Sequence, residues 1–122
     1  ASGEYVIFVD SDDWVSTHLL EYAKAEIAKS KADLIFFPYF DVNENMCIFR
    51  TNEKSFEKAG FLPSNKCLDF FLKNHLIFTA WQYVAKRSTF IKGQISFPVG
   101  RHYEDDATTY KVIYYSETSF IL

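Results

Sequence analysis

Cysteine is scarce: the 122 residues hold only Cys47 and Cys67, with no CxxC pair and no histidine at zinc-ligand spacing. That excludes a disulfide framework and a zinc site, and it suits a reducing cytosol. Only four glycines occur, and no Gly-rich phosphate loop can be assembled from them. Long apolar runs are missing too. The longest, Leu34 to Phe40, is far too short to span a bilayer, and the N-terminus has neither the basic start nor the cleavage region of a signal peptide. No transmembrane or targeting segment is therefore expected. Excess basic charge is also lacking: 13 Lys and Arg stand against 16 Asp and Glu, a formal net charge of −3, which excludes a nucleic-acid footprint.

What is present is the material of one folded domain. Hydrophobic residues make up 48% and charged residues 24%, an ordinary globular balance, and the length fits a single domain over 1–122. The 13 Phe and 8 Tyr are many for this length, so aromatic rings either fill the core or line a binding groove. Six of the acidic residues fall in two short clusters, Asp10/Asp12/Asp13 and Glu104/Asp105/Asp106, so the charge of interest is local.

Tyr5 to Val9 is continuously apolar, the pattern of a central strand covered on both faces, and it runs straight into the first acidic cluster. Ligands of open α/β sheets bind beyond the carboxyl ends of strands, so this position favours function. Ser16 or Thr17 caps a helix to about Ser30, with Leu19, Ala23 and Ile27 forming its apolar stripe. Ala32 to Phe37 is the next buried strand, completing a β-α-β unit that Pro38 ends. Between Asp41 and Phe61, the run Met46-Cys47-Ile48-Phe49 suggests a small hairpin outside the main sheet. A helix follows over Asn65 to His75, with Leu68, Phe71, Leu72 and His75 on one face. Thr79 to Arg87 is undecided between helix and strand. Ile95 to Pro98 reads as extended, Gly100 as a turn, Tyr103 to Ser116 as a helix with an acidic first turn, and Thr118 to Leu122 as a last strand.

Three aspartates within four residues repel one another, by about 1 kcal/mol per pair at ~4 Å in water and more at protein-like dielectric. A divalent ion relieves this, and carboxylate oxygens suit Mg²⁺ or Mn²⁺. An Asp-x-Asp turn supplies few ligands, so substrate phosphates would complete the shell. The bland reading, aspartates that solvate a turn and cap a helix, stands beside it. A calcium loop fails, because Trp14 and Val15 fall where a ligand and a glycine are required. Glu104, Asp105 and Asp106 begin a helix, whose dipole favours ionised carboxylates, and simple N-capping competes there with a role as proton acceptor. Trp81 is either a core residue or a wall against a sugar ring. His18, His75 and His102 are scattered, and none is read as a ligand.

The segment from Ala1 to Trp14, ASGEYVIFVDSDDW, resembles the A-x-G-E-Y-I-x-F-L-D-S-D-D-W stretch of family 2 glycosyltransferases. Trp81 with Lys86-Arg87 resembles the W-x-K-L-Y-K-R region, and Phe97 through Asp106 resembles F-P-x-G-x-x-x-E-D-D. The resemblance implies an α/β fold: a partial GT-A sandwich, Rossmann-like, with a mostly parallel sheet and flanking helices. It implies inverting transfer from a nucleotide-diphosphate sugar with Mn²⁺ or Mg²⁺. Asp10 would contact the ribose or uracil side, Asp12 would ligate the metal and Asp13 would support both. Asp105 would be the general base, Glu104 would orient it, and Trp81 and Asp106 would bind a glycan or lipid-linked acceptor. It further implies a cytoplasmic location, at the inner face of the membrane in the full-length parent.

Two departures bear on this. Tyr83 stands where the family has Lys and Ala85 where it has an aromatic residue, which touches the local acceptor or phosphate contacts. The family's first β-α units are also not in the chain, so the molecule is expected to be a C-terminal portion of the catalytic domain, inactive alone. A haloacid dehalogenase-like phosphatase, with Asp10 as nucleophile, is disfavoured by Trp14. A non-catalytic fragment that pairs into a homodimer through an exposed sheet edge is the remaining alternative.

Overall fold

The computed structural model describes residues 1–51, 60–76, 78–100 and 102–122. The order is β1 (Tyr5–Ile7), α1 (Leu19–Ser30), β2 (Leu34–Phe36), β3 (Phe40–Val42), β4 (Ile48–Thr51), β5 (Gly60–Pro63), α2 (Ser64–Lys73), β6 (Tyr83–Lys86), α3 (Arg87–Lys92), α4 (Asp106–Tyr115) and β7 (Thr118–Ile121). Five strands form one sheet in the order β1-β6-β2-β7-β5, and β3 with β4 forms a separate hairpin.

The α/β class holds, but the strand directions differ from the expected mostly parallel sheet. Only β2 and β7 pair parallel; β6 runs antiparallel to both β1 and β2, and β5 antiparallel to β7. An apolar strand reports that both its faces are covered, not which way its neighbours run. For the same reason β1, expected to be central, lies at an edge of the described sheet. Since β1 and β2 are both antiparallel to β6, they share a direction, and α1 connects them across the inserted strand.

Alternation along the strands sorts side chains into two layers. Leu34 and Phe36 of β2 stand opposite Ala85 and Tyr83 of β6, and all four enter the larger core with Cys67 and Phe71 of α2, Val112 and Ile113 of α4, and Ile121. Phe36 and Phe71 meet at a tilt with 4.4 Å between centroids, and Phe71 stacks on Phe78 at 5.7 Å. On the opposite face Val84, with Ile7 and Tyr5, packs against Leu19, Ala23 and Ile27, so the α1 stripe anticipated from spacing does face the sheet. The result is a helix–sheet–helix sandwich.

Smaller differences have local causes. Helix α1 begins at Leu19 without a side-chain cap; Ser16 Oγ instead accepts the His18 N–H at 3.3 Å. In α2 the buried residues are Cys67 and Phe71, while Leu72 is exposed, and His75 lies past the helix with φ of 51°. The undecided stretch from Thr79 to Arg87 is a turn followed by β6, pinned at its end by Lys86 N–H to Asp33 O at 2.7 Å and Arg87 N–H to Glu4 O at 2.8 Å. The hairpin expected around Met46 is present as β3–β4. Asn43 Oδ1 shapes its turn by accepting the N–H groups of Asn45 and Cys47, each at 3.0 Å. The rest of the stretch anticipated there, residues 52–59, lies outside the described residues.

Candidate functional site

The strand β1 ends three residues before Asp10, and the chain then turns: Asp13 N–H donates to Asp10 O at 3.2 Å. A tight turn holds the three aspartates at short range. Partial burial raises the Asp13 carboxyl above the ordinary range, and the charges of Asp12, Asp10 and then Asp41 raise it further. Asp41 was not singled out in the sequence. It reaches Asp13 because β3 folds back beside the turn, and it also pairs with Arg50 Nε at 3.3 Å across the hairpin.

The second cluster opens α4. Backbone bonds start the helix cleanly, from Thr108 N–H and Thr109 N–H to Asp105 O at 3.0 and 2.8 Å, and Thr108 Oγ1 donates to Glu104 O at 2.6 Å. Asp105 occupies the N-cap position, yet its carboxylate does not cap its own helix. It accepts instead from the Ala80 N–H, in the connection leading to β6. Burial raises its proton affinity, the Ala80 amide offsets part of that, and Glu104, Asp10 and Asp106 raise it again. N-capping, the bland account of this aspartate, is thereby excluded, and the repulsion from Asp10 brings the two acidic clusters within electrostatic reach of each other. Glu104 and Asp106 are exposed beside it.

A groove of about 870 Å³ runs beside the first turn. Asp12, Asp13 and Asp41 give it an acidic rim, and Trp14, Tyr22, Phe40 and Ile48 are among its apolar walls. Trp81 lines it as well, with its ring edge-to-face against Tyr39 at 5.0 Å and 88°. Trp81 is thus half-buried at a groove wall rather than a core residue. Asp10, Glu104, Asp105 and Asp106 are not part of that lining; Asp105 is tied to it through Ala80, the neighbour of Trp81. Tyr39 and Asp41 escaped sequence reasoning because they follow Pro38 in a segment with no periodicity or motif.

Among the described residues, no group of three or more His, Cys, Asp and Glu side chains is gathered closely enough to cage a metal. The donors at the turn are nevertheless carboxylate oxygens that repel one another, with Asp12 and Asp13 facing the groove. This donor set fits a hard divalent ion that takes only one or two protein ligands. Among the described residues, no helix is long and apolar enough to cross a membrane.

No family model matches the chain. In sequence it is 29% identical over 123 residues to a glycosyltransferase, GlyA, of Streptococcus pneumoniae serotype 4; the match takes in 95% of this chain and 17% of that protein. In structure it superposes on S. aureus TarS 1-349 over its full length, with TM-score 0.76 and 20% identity, covering 34% of that chain. TarS 1-349 is also known in complex with UDP, at TM-score 0.76 and 19% identity over 34% of its chain, and with UDP-GlcNAc, at the same values over 33%. The chain therefore spans about a sixth of its curated relative and a third of its structural one. With TarS 1-349 it shares a partial GT-A-like α/β fold, and with GlyA it shares sequence similarity over nearly its whole length.

Proposed function

We propose that the chain carries the metal-binding and base-bearing portion of a family 2 glycosyltransferase domain. The reaction is inverting transfer of a sugar from a uridine-diphosphate donor to an acceptor hydroxyl. One observation carries this reading: the Asp10 charge raises the proton affinity of Asp105, although nearly the whole chain separates the two. Likeness to GlyA and to the UDP-binding TarS fold supports it.

In this reading Asp10 meets the ribose or uracil side of the donor, Asp12 holds Mn²⁺ or Mg²⁺, and Asp13 supports the pair. The ion, when bound, acts as a Lewis acid that stabilises the departing diphosphate. Asp105 takes the proton from the acceptor hydroxyl, and its raised proton affinity suits that task, since a base works best when its pKa approaches the working pH. Glu104 orients it, while Asp106 and Trp81 face a glycan or lipid-linked acceptor. Two free cysteines accord with a cytoplasmic site, at the inner face of the membrane.

The test is transfer from UDP-sugars by the full-length protein that contains this chain. Asp12→Ala is expected to abolish transfer together with the Mn²⁺ requirement of UDP binding. Asp105→Asn is expected to abolish transfer while UDP binding persists. Wild-type turnover by Asp105→Asn would remove the base assignment.

A further inference from the structure

We propose that Tyr39 is a positioning residue for the acceptor, and that the acceptor group received there is a sugar ring stacked on the Trp81 indole it braces. This rests on the transferase reading above for the role of Trp81, but its own support is geometric. The two rings meet at 5.0 Å and 88°, from segments far apart in sequence, and both line the same groove. An indole at a groove wall with space around it can turn about two side-chain bonds; a ring set against it removes that freedom before any ligand arrives.

The chemistry around the pair selects the ligand class. Pyranose rings present C–H groups to aromatic faces and hydroxyls to hydrogen-bond acceptors. Trp81 supplies the aromatic face, and Asp13 and Asp41, which line the same groove, supply carboxylates that accept hydroxyl hydrogens. A saccharide satisfies both conditions, whereas an alkyl tail would leave the carboxylates without donors.

The experiment labels the full-length protein that contains this chain with 5-fluorotryptophan, and the Trp14 and Trp81 resonances are assigned by Trp14→Phe and Trp81→Phe. In Tyr39→Leu the Trp81 resonance is expected to shift and broaden while that of Trp14 holds, and Tyr39→Phe, which keeps the ring, is expected to restore the narrow line. Titration with methyl β-glucopyranoside and methyl β-N-acetylglucosaminide is expected to move the Trp81 resonance in the wild type and in Tyr39→Phe, with binding about three- to tenfold weaker in Tyr39→Leu. An unchanged Trp81 line and unchanged glycoside affinity in Tyr39→Leu would overturn the proposal. If Tyr39→Leu disturbs the line but neither glycoside moves Trp81 in the wild type, the acceptor role of Trp81 falls and the bracing alone survives.

Discussion

The carboxylate of Asp10, just past the first strand, raises the proton affinity of Asp105 at the start of the last helix. This coupling yields a measurement independent of turnover. Asp10→Asn is expected to lower the Asp105 titration midpoint, read by carbon-detected NMR of the side-chain carboxyl. The acidic limb of the pH–rate profile should move down with it in the full-length protein. An unmoved midpoint would separate the two clusters.

Asp105 also ties function to stability. Its folded-state pKa is raised, so the native chain holds this proton more tightly than the unfolded one. The contribution is fully present below the ordinary carboxylate pKa of about 3.9 and is lost as pH rises through the higher folded value. At neutral pH the ionised group therefore opposes folding, and Asp105→Asn should melt higher than wild type. That advantage should shrink as pH falls below the unfolded pKa, a trend that thermal melts at several pH values would trace.

The larger core is centred on Phe71, which is fully buried and touches Phe36, Phe70 and Phe78. Phe71→Ala should cost about 3–5 kcal/mol in urea unfolding, because the neighbouring rings cannot collapse into the space. Phe71→Leu should recover much of that.

Asp33 joins three strands. Its carboxylate accepts the Glu117 N–H at 3.0 Å and pairs with Lys86 Nζ at 3.4 Å, while its main chain bonds to both Thr118 and Lys86. Asp33→Ala should cost about 1.5–3 kcal/mol, chiefly through the amide left without its charged acceptor. Lys86→Ala, which removes only the exposed half of the ion pair, should cost under about 1 kcal/mol. Equal losses would mean that the ion pair and not the amide bond holds the junction.

Gly93 closes α3 against α4. A Cβ there would stand 2.6 Å from Tyr115 Cδ2 and 2.8 Å from Ile95 Cγ1, although its φ is one any residue adopts. Gly93→Ala should therefore destabilise by roughly 1–3 kcal/mol through overpacking, with little effect at the acidic clusters. Denaturant melts and the Asp105 titration would check the two halves of that statement.

Much of this architecture could be read before any coordinates. The apolar stripes of α1 and β2, the hairpin at Met46 and the acidic start of α4 all carry local signals, namely spacing, turn residues and charge. Strand direction carried none: Tyr5 to Val9 looked central because it is apolar, yet β1 borders the sheet. The same limit applied at the site. Asp10, Asp12 and Asp105 declared themselves by clustering and by motif, whereas Tyr39, Asp41 and the Ala80 amide are defined by tertiary neighbours alone.

The placement of β6 between β1 and β2 sets a condition on how the molecule assembles. The first two strands and their helix cannot share a hydrogen-bond ladder until a segment made some fifty residues after β2 slips between them, and β2 must also wait for β7 on its other side. Such distant pairings close large loops before they return any stabilisation, so they slow folding. In a protein cut short before residue 83, β1 and β2 would lack the strand that joins them, and their apolar faces would be left without that cover.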